Sequence, residues 1–131
     1  MKKSKIIVIS ALIFVVLLFI SVYLVYNSLF PKAPPIVVPD FDQDMTIIAE
    51  DSHGTFYDEH THGVLDSHRC ILDKIYFSKP TRIMSANDYP AGEEYIKVSC
   101  VCNDRTYTYY LYEKNGTTYV EVPYEGVYIV D

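Results

Sequence analysis

Between Ile6 and Tyr26 hydrophobic positions follow one another without interruption by charge, proline or glycine, for 21 residues. As a helix rising about 1.5 Å per residue, this run reaches roughly 31 Å, enough to cross the hydrocarbon core of a bilayer. Beyond it the pattern breaks up into shorter elements. Pro31 to Asp40 reads PKAPPIVVPD; its prolines fix φ near −65° and donate no hydrogen bond, which predicts an extended spacer. Met45, Ile47 and Ala49 then alternate with Thr46, Ile48 and Glu50, predicting a short strand over 44–51. Ser52 to Gly63 is polar and reads as a loop.

Val64 to Phe77 shifts to a helical period. Leu65, His68, Ile71, Leu72, Ile75 and Tyr76 recur every three or four residues along one face. Thr61 would cap this amphipathic helix, and Ser78-Lys79-Pro80 would end it. From Glu93 the period becomes two. Ile96, Val98, Cys100 and Cys102 share one face, with Tyr95, Lys97, Ser99 and Val101 on the other. Asn103-Asp104 marks a tight turn, Arg105 to Glu113 alternates again, and Asn115-Gly116 marks a hairpin whose type I′ turn needs positive φ at both central residues. Thr117 to Val122 and Val127 to Val130 complete the series around a turn at Pro123 to Gly126. The expected fold class is α+β, with one amphipathic helix packed on an antiparallel meander of about four strands and the 44–51 strand added at an edge. The expected organisation is a basic tail (1–5), a transmembrane helix (6–26), a Pro-rich spacer (27–43) and one domain (44–131).

Charge orients this plan. Lys2, Lys3 and Lys5 precede the apolar run, whereas all 17 acidic residues lie beyond Ser28 against 8 basic ones, a net charge of −9 for that part. The positive-inside rule then keeps the N-terminus in the cytoplasm and sends the domain outside. A cleaved signal peptide would instead release a secreted protein. The apolar run exceeds the usual 7–15 residues of a signal core and no A-x-A-like site follows it, which favours a retained single-pass anchor. An acidic domain without a basic patch excludes nucleic acid as a partner.

The segment KPTRIMSANDYPAGEEYIKV, together with YYLYEKNGTTYVEVPYEGVYIV, resembles a family of small secreted or membrane-anchored proteins of Gram-positive bacteria, a DUF5301-like domain of unknown function. The resemblance runs from about Ile71 to Val130. It is carried by Lys79-Pro80-Thr81-Arg82, Ser85, Asn87-Asp88, Tyr95-Ile96-Lys97, Tyr119 and Pro123-Tyr124-Glu125-Gly126-Val127-Tyr128. It implies an extracytoplasmic bacterial domain and brings no activity with it.

Four groups of residues bear on chemistry. His53, His60, His62 and His68 lie among Asp51, Asp58, Glu59 and Asp66. Imidazole with carboxylate suits Zn²⁺, Cu²⁺ or Ni²⁺, so His60, His62 and His68 are candidate metal ligands, although their spacing matches no established signature. The competing reading is a solvated polar loop. Cys100 and Cys102, two apart on one strand face, are badly placed for a mutual disulfide; Cys70 would bridge one of them, or all three are buried thiols. The 13 tyrosines concentrate between Tyr89 and Tyr128. Tyr107 and Tyr109 fall on one face of their strand and Tyr110 and Tyr112 on the other, with Tyr124 and Tyr128 following. They are either ordinary strand filling or a flat aromatic surface for a peptide, glycan or protein. Finally, Asp58-Glu59 and Glu93-Glu94 read as solvated charge, and no phosphate loop, nucleophile elbow or kinase motif occurs. The expected function is therefore non-catalytic, without a cofactor: a binding module for an envelope protein or glycan at the bacterial surface. The alternative is a divalent-metal module using the 53–68 loop.

Overall fold

The apolar run forms helix α1 (Lys2–Leu29), whose segment Lys3–Leu29 is long and apolar enough to cross a membrane or to serve as a signal sequence. The computed structural model describes residues 2–40, 45–53, 56–61 and 66–131, and of residues 2, 56–61 and 66–70 the backbone alone. Contacts divide the chain into two units, 1–32 and 33–131.

In the second unit the elements are β1 (Met45–Asp51), β2 (Phe56–Thr61), α2 (Asp66–Tyr76), β3 (Lys79–Pro80), β4 (Tyr95–Cys102), β5 (Arg105–Lys114), β6 (Thr117–Val122) and β7 (Gly126–Val130). The strands form one antiparallel sheet in the order β2-β1-β4-β5-β6-β7-β3. The expected four-stranded meander is thus the centre of a seven-stranded sheet, counting the two-residue β3. Two corrections follow. β1 is an inner strand, flanked by β2 and β4, not an edge. And the polar loop contains β2, held to β1 by a main-chain ladder that any sequence can supply.

Register decides which side chains meet. Ile47 pairs with Cys100, Val98 with Tyr109, Leu111 with Val120, and Val120 with Tyr128. The period-two pattern puts all of them on one face. There they form the core with Met45, Cys102 and the fully buried Leu72 and Ile75 of α2. Tyr76, expected on the same helical face, is 55% exposed. The opposite sheet face carries a smaller buried group. Tyr110, Glu121 and Val127 lie under the connection between β3 and β4, where the Ser85 hydroxyl donates to Glu121 Oε1 at 2.6 Å.

The Pro-rich segment is the largest departure from expectation. It has no regular secondary structure, but from Ala33 to Val38 it is a strap on the core and not a free spacer. Ala33 is buried, and its N–H donates to Thr81 O at 2.9 Å. The Tyr128 hydroxyl donates to Pro34 O at 2.7 Å, and the Tyr109 hydroxyl donates to Val37 O. Ile36 and Val38 pack against the core. Proline gives up a donor but keeps its carbonyl. Two buried phenols, which need acceptors, find them there.

Candidate functional site

The hairpin from β5 to β6 has unequal arms. Asn115 and Gly116, at φ 53° and 75°, make the turn, and pairing runs from Lys114 with Thr117 to Tyr110 with Glu121. β6 ends at Val122, next to Pro123, whereas β5 continues down to Arg105. A cleft of about 630 Å³ opens beside that unmatched stretch. Arg105 to Tyr110 form its floor and Val122, Pro123 and Glu125 close one end, with Val37 of the strap, Asp88 and Lys97 around it. A smaller recess beside Tyr107 and Arg105 adds Val38, Pro39, Asp40 and Asn103.

The tyrosines expected to form a flat surface are dispersed among the core, the cleft wall and the outer surface. Tyr109 and Tyr128 are fully buried and Tyr110 is 7% exposed, so these are structural residues. An aromatic ring in the core buries more area than any aliphatic alternative, which outweighs the polar tip once that tip is bonded. Tyr107 is half-buried in the cleft wall. Tyr112 stacks on Tyr119, its cross-strand partner, at a centroid distance of 5.5 Å. Tyr95 meets Tyr110 edge-on at 5.1 Å. Tyr124 is exposed at positive φ (62°), and its hydroxyl donates to Asp88.

Burial is the first cause of the shifts in the core and sheet groups. Burial, and secondarily Cys102, pushes the Cys100 thiol from 9.0 up to about 12. Burial, then Glu121, Tyr119 and Glu93, pushes Tyr112 from 10.0 up to about 12. Burial likewise raises Tyr109 and Tyr110. A thiol raised in this way is a poor nucleophile, in keeping with the place of Cys100 in the core.

Of the remaining candidates, His60 sits opposite Thr46 in the β1–β2 register. Its side chain, His62, and the side chains of His68 and Cys70 lie outside the described residues. His53 is exposed, with Nε2 3.9 Å from Glu94 Oε1. Cys100 is a buried free thiol. Among the described residues no three His, Cys, Asp or Glu side chains converge as a metal site would require. The cleft residues Thr106, Thr108, Lys97 and Arg105 were not singled out by sequence reasoning. Their signal was Pro123, which stops β6 opposite a strand that still alternates.

No curated protein matches the chain. Among solved structures it is similar to a protein from Ruminococcus gnavus determined by NMR, at 29% identity and a TM-score of 0.55, over 75% of this chain and 91% of that one. A family model for DUF5301, described as a domain of unknown function (DUF5300), matches residues 34–129, from the strap to the last strand. The chain therefore belongs to the DUF5301 family, and the strap belongs to the family's domain.

Proposed function

We propose that this protein is a non-catalytic binding module, displayed on the outer face of a bacterial membrane by α1 and recognising an envelope partner through the cleft beside β5. The observation that carries the reading is the cleft itself: about 630 Å³ of open space at an unmatched strand, walled by Tyr107, two threonines and both signs of charge. Polar groups of this kind beside an aromatic ring fix orientation in a binding site. The three lysines before the apolar run and the acidic domain after it support an outward orientation.

Two measurements on the full chain in intact bacterial cells test this. External proteinase K should remove a C-terminal tag; a protected tag would place the domain in the cytoplasm. A photocrosslinking amino acid at position 107 should capture a discrete envelope component. The same probe at exposed Tyr76, on α2, should not. Equal capture at both positions, or none at 107, would overturn the binding reading.

A further inference from the structure

We propose that the cleft receives an extended polypeptide segment of neutral or basic character, which adds a strand to the free edge of β5 at Thr106 and Thr108. This rests on the binding reading above and names its partner.

The argument begins at the turn between β4 and β5. Asn103 and Asp104 both have positive φ, 48° and 62°, and close a two-residue hairpin. In such a hairpin the flanking pair, here Cys102 with Arg105, exchanges its main-chain hydrogen bonds. Antiparallel ladders alternate, so Tyr107, Tyr109 and Leu111 also bond to β4, opposite Cys100, Val98 and Ile96. Thr106, Thr108, Tyr110 and Tyr112 aim their N–H and C=O groups at the other side. There β6 meets Tyr110 and Tyr112 with Glu121 and Tyr119, and then stops. The next residue in that lane is Pro123, which has no N–H to offer. The main-chain groups of Thr106 and Thr108 consequently open into the cleft.

By contrast, the outer edge of β7 is covered. Lys79 and Pro80 pair with Ile129 and Tyr128, and Val127 bonds to both Thr81 and Ile83. No described segment does this for residues 105–109.

Two donors and two acceptors repeating every second residue match another backbone better than a sugar or an isolated small molecule. Five residues, Arg105 to Tyr109, give an edge of about 17 Å at roughly 3.4 Å per residue, room for a partner strand of similar length. Inside the cleft Lys97 and Arg105 offset Asp88 and Glu125. The sign of the partner is then set by the surrounding field, −9 beyond Ser28, which repels acidic segments.

The test uses the full ¹⁵N-labelled chain in dodecylmaltoside micelles, followed by amide hydrogen exchange. As probes we name the capped peptide KVTVK and its acidic counterpart EVTVE. In the free protein, Thr106 and Thr108 should exchange at least roughly tenfold faster than Tyr107 and Tyr109. KVTVK should slow both threonines, and EVTVE should do so more weakly. Thr108→Pro should leave the thermal midpoint unchanged, since proline is tolerated at an unpaired edge, and should abolish the response. Four results would overturn the proposal: threonine amides protected at every protein concentration, protection that disappears on dilution (a second copy on the edge), no response to millimolar KVTVK, or collapse of Thr108→Pro. If these occur while position 107 still crosslinks in cells, strand addition falls and the binding function stands.

Discussion

At the scale of residues, the domain depends on phenols used as apolar fillers with one satisfied polar atom. Tyr128 is fully buried, and its hydroxyl reaches Pro34 O. Tyr128→Phe keeps the ring and loses that bond, and should cost about 1 kcal/mol in urea unfolding. Tyr128→Ala also leaves a cavity and should cost about 3–5 kcal/mol. Equal costs for the two would mean that the hydroxyl, not the ring, carries the contribution. The same buried groups set a pH limit. Cys100 is raised from 9.0 to about 12 and Tyr112 from 10.0 to about 12, chiefly by burial, and Tyr109 is raised as well. Above pH 9 the unfolded chain loses these protons first, so it binds fewer than the native state. Stability is then complete below pH 9 and falls as pH rises toward 12. A titration of tyrosinate absorbance should show part of the tyrosines ionising together with the loss of ellipticity. Ionisation of every tyrosine before any unfolding would refute this.

At the scale of elements, the strands that alternate strongly were legible, and those whose neighbours determine them were not. β4 to β7 follow from period two and from Asn115-Gly116, because each strand buries one face and each turn needs its own φ. β2 was missed, since its residues FYDEHT hold no apolar stripe to announce it. The strap was missed for a different reason. Its prolines rule out a helix or an inner strand, but they do not say whether their carbonyls face water or buried hydroxyls. The open edge of β5 was readable in principle from Pro123, yet it becomes visible only once the register is counted residue by residue. How closely the strap fits is shown at Gly126, whose added Cβ would collide with Ala33 Cβ and approach Ile83 O at 3.4 Å. Gly126→Ala should therefore destabilise by about 1–3 kcal/mol through overpacking. Ala33→Gly in the same chain should restore most of that loss. An undiminished cost in the double variant would place the strain at Ile83 O or in the strand, and not under the strap.

At the scale of the molecule, the folded unit starts at Ala33 and the family match at residue 34, both well before the first strand at Met45. A boundary at 44, where hydrophobic alternation begins, would therefore cut through the fold. A chain of residues 44–131 lacks Ala33 and its bond to Thr81, as well as both carbonyls that receive Tyr109 and Tyr128. It also exposes the core surface covered by Ile36 and Val38. With the strap gone water reaches the two phenols, so each lost bond costs its net value of about 0.5–1.5 kcal/mol, and the larger loss is the apolar contact of Ile36 and Val38, about 1.5–3 kcal/mol for each side chain. Against the 5–15 kcal/mol that holds an ordinary domain together, the sum is decisive. We expect 33–131 to unfold cooperatively in urea and 44–131 to show a much lower midpoint or none. Retaining only 39–131 should not help, since the acceptors at Pro34 and Val37 would still be missing. Coincident curves for 33–131 and 44–131 would mean that the strap rests on the sheet without contributing to its stability. The agreement between the family boundary and the packed residues would then need a cause other than folding. A recovery of 44–131 by Tyr109→Phe with Tyr128→Phe would instead show that the two hydroxyls stay shielded from water without the strap, and would assign most of its effect to their lost acceptors.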